Sequence, residues 1–167
     1  MTKETRSGSN GPITLEKLIA LGERHVNRIL LEDREKGMAP LWHLVTPEGE
    51  QDFVIMTPWN GDFEKKLSVA KVRELAHEHN AIAVGFVTEC WMLDIKRADV
   101  HKPHPRPSES PNRIEAVMIL AHDKERTIAK GLQTIRDKPG GRIISLIEHM
   151  PIGESKFESW MLEGMLP

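Results

Sequence analysis

Between Ala81 and Val87 the chain reads AIAVGFV, and apolar residues continue at nearly every position until Glu89. A strand with one wet face alternates apolar and polar side chains, whereas a run without alternation is buried on both faces. Ile82 to Leu93 is therefore predicted to be the middle strand of a sheet. That expectation constrains everything else, because the remaining chain has to supply neighbours for both edges of this strand and covers for both faces.

The covers are predicted to be helices. Thr14 is placed to N-cap a helix in which Leu15, Leu18, Val26, Ile29 and Leu30 recur at helical spacing, with Ile13 and Leu18 as a hydrophobic staple and Gly37 and Pro40 ending it. Asp62 is expected to cap a second helix running to about His79. There Phe63, Leu67, Ala70 and Leu75 would supply the apolar contacts, and Asn80 suits the left-handed position after the last turn. A last short helix is expected from Ser155, with Glu158 completing a capping box and Phe157, Trp160 and Met161 buried.

The neighbours are predicted to be short strands. Leu41–Thr46 and Asp52–Thr57 flank Pro47-Glu48-Gly49-Glu50, a turn of hairpin length. Ile114–His122, Thr127–Ile135 and Arg142–His149 form a meander broken at Asp123-Lys124-Glu125 and at Lys138-Pro139-Gly140-Gly141. The fold class is α+β, a central, mainly antiparallel sheet of about six strands flanked by helices in the order α-β-β-α-β-β-β-β-α. Residues 1–12 read as a flexible tail and 13–167 as one domain. The element order resembles that of profilin-like and roadblock-like folds, a resemblance that implies an architecture and no activity.

Composition narrows the partners. Lys and Arg number 23 against 25 Asp and Glu, a formal charge of -2 that provides no positive field for collecting phosphates, so nucleic acid is not favoured. Cys90 is the single cysteine and has no intramolecular partner, which fits a reducing cytoplasm. The apolar runs fall short of the roughly 20 residues that span a bilayer, and MTKETRSGSNGP lacks the apolar core of a secretory signal. A membrane association is not expected.

Function is expected to reside in Asp94 to Glu115, a polar, proline-rich stretch far longer than the usual connection of about 4–6 residues. The pattern Glu89-x-Trp91 followed by Arg106-Pro107-Ser108-Glu109-x-Pro111-x-Arg113-x-Glu115 resembles one in a family of bacterial and phage-type proteins with no assigned activity. Glu89 and Trp91 share one strand face, as do Arg113 and Glu115, so pairing of their strands would bring charges together. Two chemistries are open. Arg106 and Arg113 would hold a carboxylate or phosphate while Glu89 or Glu115 acts as a base, or the same charges tie the long segment to the sheet. Ser108, Glu109 and the loop residue Trp59 complete the candidate ligand-binding set.

His101 and His104 are weak metal candidates. Their His-x-x-His spacing departs from the His-x-His-Pro of JAB-type metalloproteases, and a zinc site needs three or four convergent ligands. Asp94-x-Lys96 is similar to the Asp/Glu-x-Lys element of restriction-type nucleases, with Asp52 or Asp62 as the further carboxylate. Cys90 lacks a cationic neighbour or helix N-terminus to activate it and reads as a small buried hydrophobe. The four tryptophans at 42, 59, 91 and 160 are expected to anchor the core, Trp59 excepted. The leading expectation is a non-catalytic cytoplasmic binding or assembly protein. It would need no cofactor, form a homodimer, and take a small anionic ligand or a protein partner; a hydrolase working from the 89–115 surface is the alternative.

Overall fold

The computed structural model describes residues 13–32, 37–47, 53–93, 102–137, 141–146 and 160–167. Helix α1 spans Leu15–Glu32, strands β1 and β2 span Leu41–Val45 and Phe53–Met56, and helix α2 spans Asp62–Glu78. Strands β3 (Ala83–Leu93), β4 (Arg113–Asp123), β5 (Thr127–Asp137) and β6 (Gly141–Leu146) follow, with a short 3-10 turn at Pro107–Glu109 before β4. The α+β class and the order of elements up to β6 are as expected. The six strands among the described residues join in one antiparallel sheet, β2-β1-β3-β4-β5-β6, with β3 between β1 and β4.

Alternation on each strand sorts the core into two layers. Leu41 and Val45, Ala83 and Val87, Val117, Ile119 and Ala121, and Ile128 and Leu132 pack under α1 through Leu15, Leu18, Ile19 and Val26. Trp42 and Leu44, Val84 and Phe86, Leu120 and Ala129 point the other way. They meet Val69, Val72 and Ala76 of α2 and Met161, Leu162 and Met165 near the C-terminus. Burial of Val84, Phe86 and Val87 on opposite faces explains the unbroken apolar run of β3. On the α2 side Trp42 is fully buried, stacks obliquely on Phe86 with ring centroids 4.0 Å apart, and donates its indole N–H to Thr57 Oγ1.

Local signals explain the element ends. Thr14 Oγ1 accepts the backbone N–H of Lys17, as an N-cap should. After α2, Asn80 is left-handed (φ 50°), Ala81 N–H donates to the Ala76 carbonyl and Asn80 N–H to that of His77, a Schellman closure. Between β4 and β5, Asp123 Oδ1 accepts the N–H groups of both Glu125 and Arg126.

Several expectations are corrected. Asp62 does not cap α2: Gly61 holds the cap position without a side-chain bond, and Glu64 reaches back to the Asn60 N–H instead. Phe63 and Leu67 are 73% and 55% exposed, and Ala70 is exposed too. α2 is apolar on two opposite faces, and the buried one is Val69, Val72 and Ala76, with half-buried Leu75 beside it. Trp160 and Trp91 are also exposed rather than core anchors. Trp160 opens a turn over 160–164, in which Met161 is buried as expected; the expected helix start at Ser155, with Phe157 and Glu158, lies outside the described residues. So do the tail and most of the turns at 47–50 and 138–141.

Candidate functional site

The β3–β4 ladder runs without interruption from Ala83↔Asp123 to Leu93↔Arg113. β1 accompanies β3 only over Ala83 to Val87, and β5 accompanies β4 only over Ala116 to His122. The pairs Trp91↔Glu115, Met92↔Ile114 and Leu93↔Arg113 therefore form a ribbon tip that extends past both neighbouring ladders. By alternation from Val87 and Val117, Glu89, Trp91, Arg113 and Glu115 lie on the α1 face of that ribbon.

On the tip, Trp91 is 44% exposed and the Arg113 guanidinium lies over its ring, 4.5 Å from the centroid. The stack is a cation–π contact in which a planar guanidinium covers an aromatic face while keeping donors for other acceptors. One donor is used: Arg113 Nη1 donates to the Ser108 carbonyl at 2.7 Å. The proline-rich segment is thereby pinned at its 3-10 turn, which packs back on β3 and β4. Ser110, a residue outside the expected set, is buried below it, and its Oγ accepts the Asn112 N–H. A serine preceding Pro-Asn at a strand start is the sequence signal for such a turn.

The other candidates separate. Glu115 sits opposite Trp91, whereas Glu89 lies farther in, its carboxylate over the chain entering β1: a Cβ on Gly37 would be 3.4 Å from Glu89 Oε2. Arg106, Ser108 and Glu109 are exposed on the 3-10 turn, where Glu109 N–H donates to the Arg106 carbonyl. His104 is exposed in the same segment, and His101 lies outside the described residues, as do Asp52, Asp94 and Lys96. Among the described residues no three His, Cys, Asp or Glu side chains gather where a metal ion would fit.

Trp59 belongs to the opposite side of the molecule. Its ring centroid is 6.3 Å from that of Phe86 on the α2 face, and Lys65 Nζ stands 5.6 Å from it and 5.9 Å from that of Trp160. It cannot share a ligand with Trp91 through the thickness of the sheet. Cys90, half-buried and alternating with Trp91, has its thiol pushed up to about 11 by burial and then by the neighbouring Glu89 charge. It is not a thiolate at neutral pH.

The arrangement offers an ordered aromatic and cationic surface on a projecting ribbon, flanked by carboxylates. No protein-family model, no curated protein and no solved structure matches the chain. No helix among the described residues is long and apolar enough to cross a membrane.

Proposed function

We propose that the chain is a non-catalytic binding or assembly protein whose recognition surface is the Trp91–Arg113 face of the β3–β4 ribbon. The observation that carries this reading is the exposed stack itself: Trp91 remains 44% accessible while Arg113 is held over it. Tryptophan and arginine dominate the energetics of protein interfaces, and a pre-ordered pair loses little side-chain entropy on binding. A half-buried thiol with a raised pKa supports the non-catalytic side of the reading.

The test is affinity capture with wild type, Trp91→Ala and Arg113→Ala as parallel baits. A partner retained by wild type and lost by both variants is the expected result. Turnover of ester, phosphoester or peptide substrates by wild type, abolished in Glu89→Gln or Glu115→Gln, would replace this reading with a hydrolase.

Self-association belongs to the same proposal. Among the described residues β2 and β6 end the sheet, and an end strand presents unpaired backbone groups. Val54 and Met56 on β2 are 46% and 65% exposed as well. Sedimentation at tens of micromolar is expected to show a dimer, and a monomer there removes this part of the reading.

A further inference from the structure

Lys65 stands between two tryptophans that come from distant parts of the chain. Its Nζ is 5.6 Å from the Trp59 ring centroid and 5.9 Å from that of Trp160, both within the roughly 6 Å reach of a cation–π contact. Among the described residues this ammonium has neither an ion pair nor a hydrogen bond. Two indole rings therefore hold a positive charge with no carboxylate or carbonyl to share it.

Both rings are fixed from behind. Trp59 is half-buried against Phe86, with 6.3 Å between centroids, and Phe86 in turn stacks on the buried Trp42. The loop that carries Trp59 is held by the Asn60 N–H donating to Glu64 Oε2 at 2.7 Å. Trp160 is 46% exposed, but Met161, Leu162 and Met165 after it are buried, and His77 Nε2–H donates to the Gly164 carbonyl at 2.9 Å. One wall thus belongs to the loop between β2 and α2 and the other to the 160–164 turn. Only the occupant comes from α2, on the flexible four-carbon stem of a lysine.

We propose that the Trp59–Trp160 pair is a seat for a small quaternary ammonium ligand, with Lys65 as its resident, displaceable occupant. Aromatic faces attract a positive charge but are poor hydrogen-bond acceptors, so a primary ammonium between them leaves its three donors to water. A quaternary ammonium carries the charge without donors and gives up no hydrogen bond on entering the seat. The external cation is the better match to two bare rings, and Lys65 is the weaker one. The seat lies on the α2 face and the Trp91–Arg113 stack on the α1 face, so this inference stands apart from the proposed function.

Choline is the probe, titrated into the full chain and followed by the indole N–H resonances. Ethanolamine serves as the primary-amine control, and the uncharged analogue with carbon in place of the quaternary nitrogen serves as the shape control. Saturable shifts of Trp59 and Trp160 are expected, with affinity about tenfold weaker for either control. Trp160→Ala should weaken choline by about tenfold, whereas Lys65→Ala should tighten it by about threefold because the competing occupant is gone. A lysine that only tied the turn to α2 would give the opposite sign. Circular dichroism of each variant confirms that it is folded. Phosphatidylcholine vesicles separate the two sources of this chemistry: a lipid headgroup as ligand brings the chain down with the vesicles, and a free amine does not. Choline affinity that falls in Lys65→Ala, survives Trp160→Ala or is matched by the uncharged analogue would overturn the proposal. So would the absence of saturable shifts at Trp59 and Trp160 in Lys65→Ala.

Discussion

Gly22 brings α1 so close to the sheet that a Cβ on it would lie 2.6 Å from Ile119 Cγ2 and 3.2 Å from Val87 Cγ2. The backbone of the helix rests directly on the two central strands at this point, and the hydrogen in place of a side chain sets the distance between the layers. Helix propensity and packing oppose each other here. Alanine is favoured over glycine in a helix interior by about 1 kcal/mol, while an extra carbon in a close-packed layer costs about 1–3 kcal/mol. Gly22→Ala is expected to lower the urea unfolding free energy. An increase would show that Ile119 turns aside at little cost.

The Arg113–Trp91 stack and the Arg113–Ser108 bond are exposed, so their contribution to global stability is small, about 1 kcal/mol together. Their effect is local. Arg113→Ala is expected to speed cleavage after Glu109 by a glutamate-specific protease while shifting the unfolding midpoint only slightly. Unchanged cleavage kinetics would mean that the prolines alone order the segment.

Two histidines make stability depend on pH. His25 is shifted below its ordinary value of 6.5 by burial and by its cationic neighbours. His122 is shifted below the same value by burial, partly offset by Asp123 and a backbone contact of Arg126, and its Nδ1 is 2.8 Å from Thr127 Oγ1. The unfolded chain binds protons more readily at both sites, so unfolding free energy is fully retained above about pH 6.5 and falls as the pH drops below it. Unfolding midpoints measured between pH 5 and pH 8 should show this slope, with His25→Gln and His122→Gln each flattening it. A rise in stability on acidification would contradict the sign.

Cys90 should resist thiol reagents. With the thiol raised to about 11 and half-buried, only about one molecule in a thousand is thiolate at pH 8. Reaction with an aromatic disulfide reagent is expected to be far slower in the native protein than in urea. Equal rates in the two states would show that the thiol is neither buried nor suppressed.

The sequence by itself determined the features that neighbouring residues control. Thr14 caps α1, Asn80 turns left-handed after α2, Asp123 closes the β4–β5 turn, and the unbroken apolar run of Ile82–Val87 made β3 the middle strand before any contact was known. Each signal acts over a few residues, through a side chain bonding nearby backbone or through the absence of a polar face. Tertiary structure decided the choices that local pattern left open. α2 has apolar residues on two faces, and only docking against Trp42, Val84 and Phe86 selects Val69, Val72 and Ala76 for burial, leaving Phe63 and Leu67 outside.

The same holds for the site. That Trp91 stands opposite Glu115 and under Arg113, while Trp59 lies beyond the sheet near Phe86, follows from strand register. Register is a long-range property, because a slip of one residue turns every side chain to the other face. The residues of the proposed recognition surface were legible as a group of charges around a long connection. Their division between two faces required the sheet.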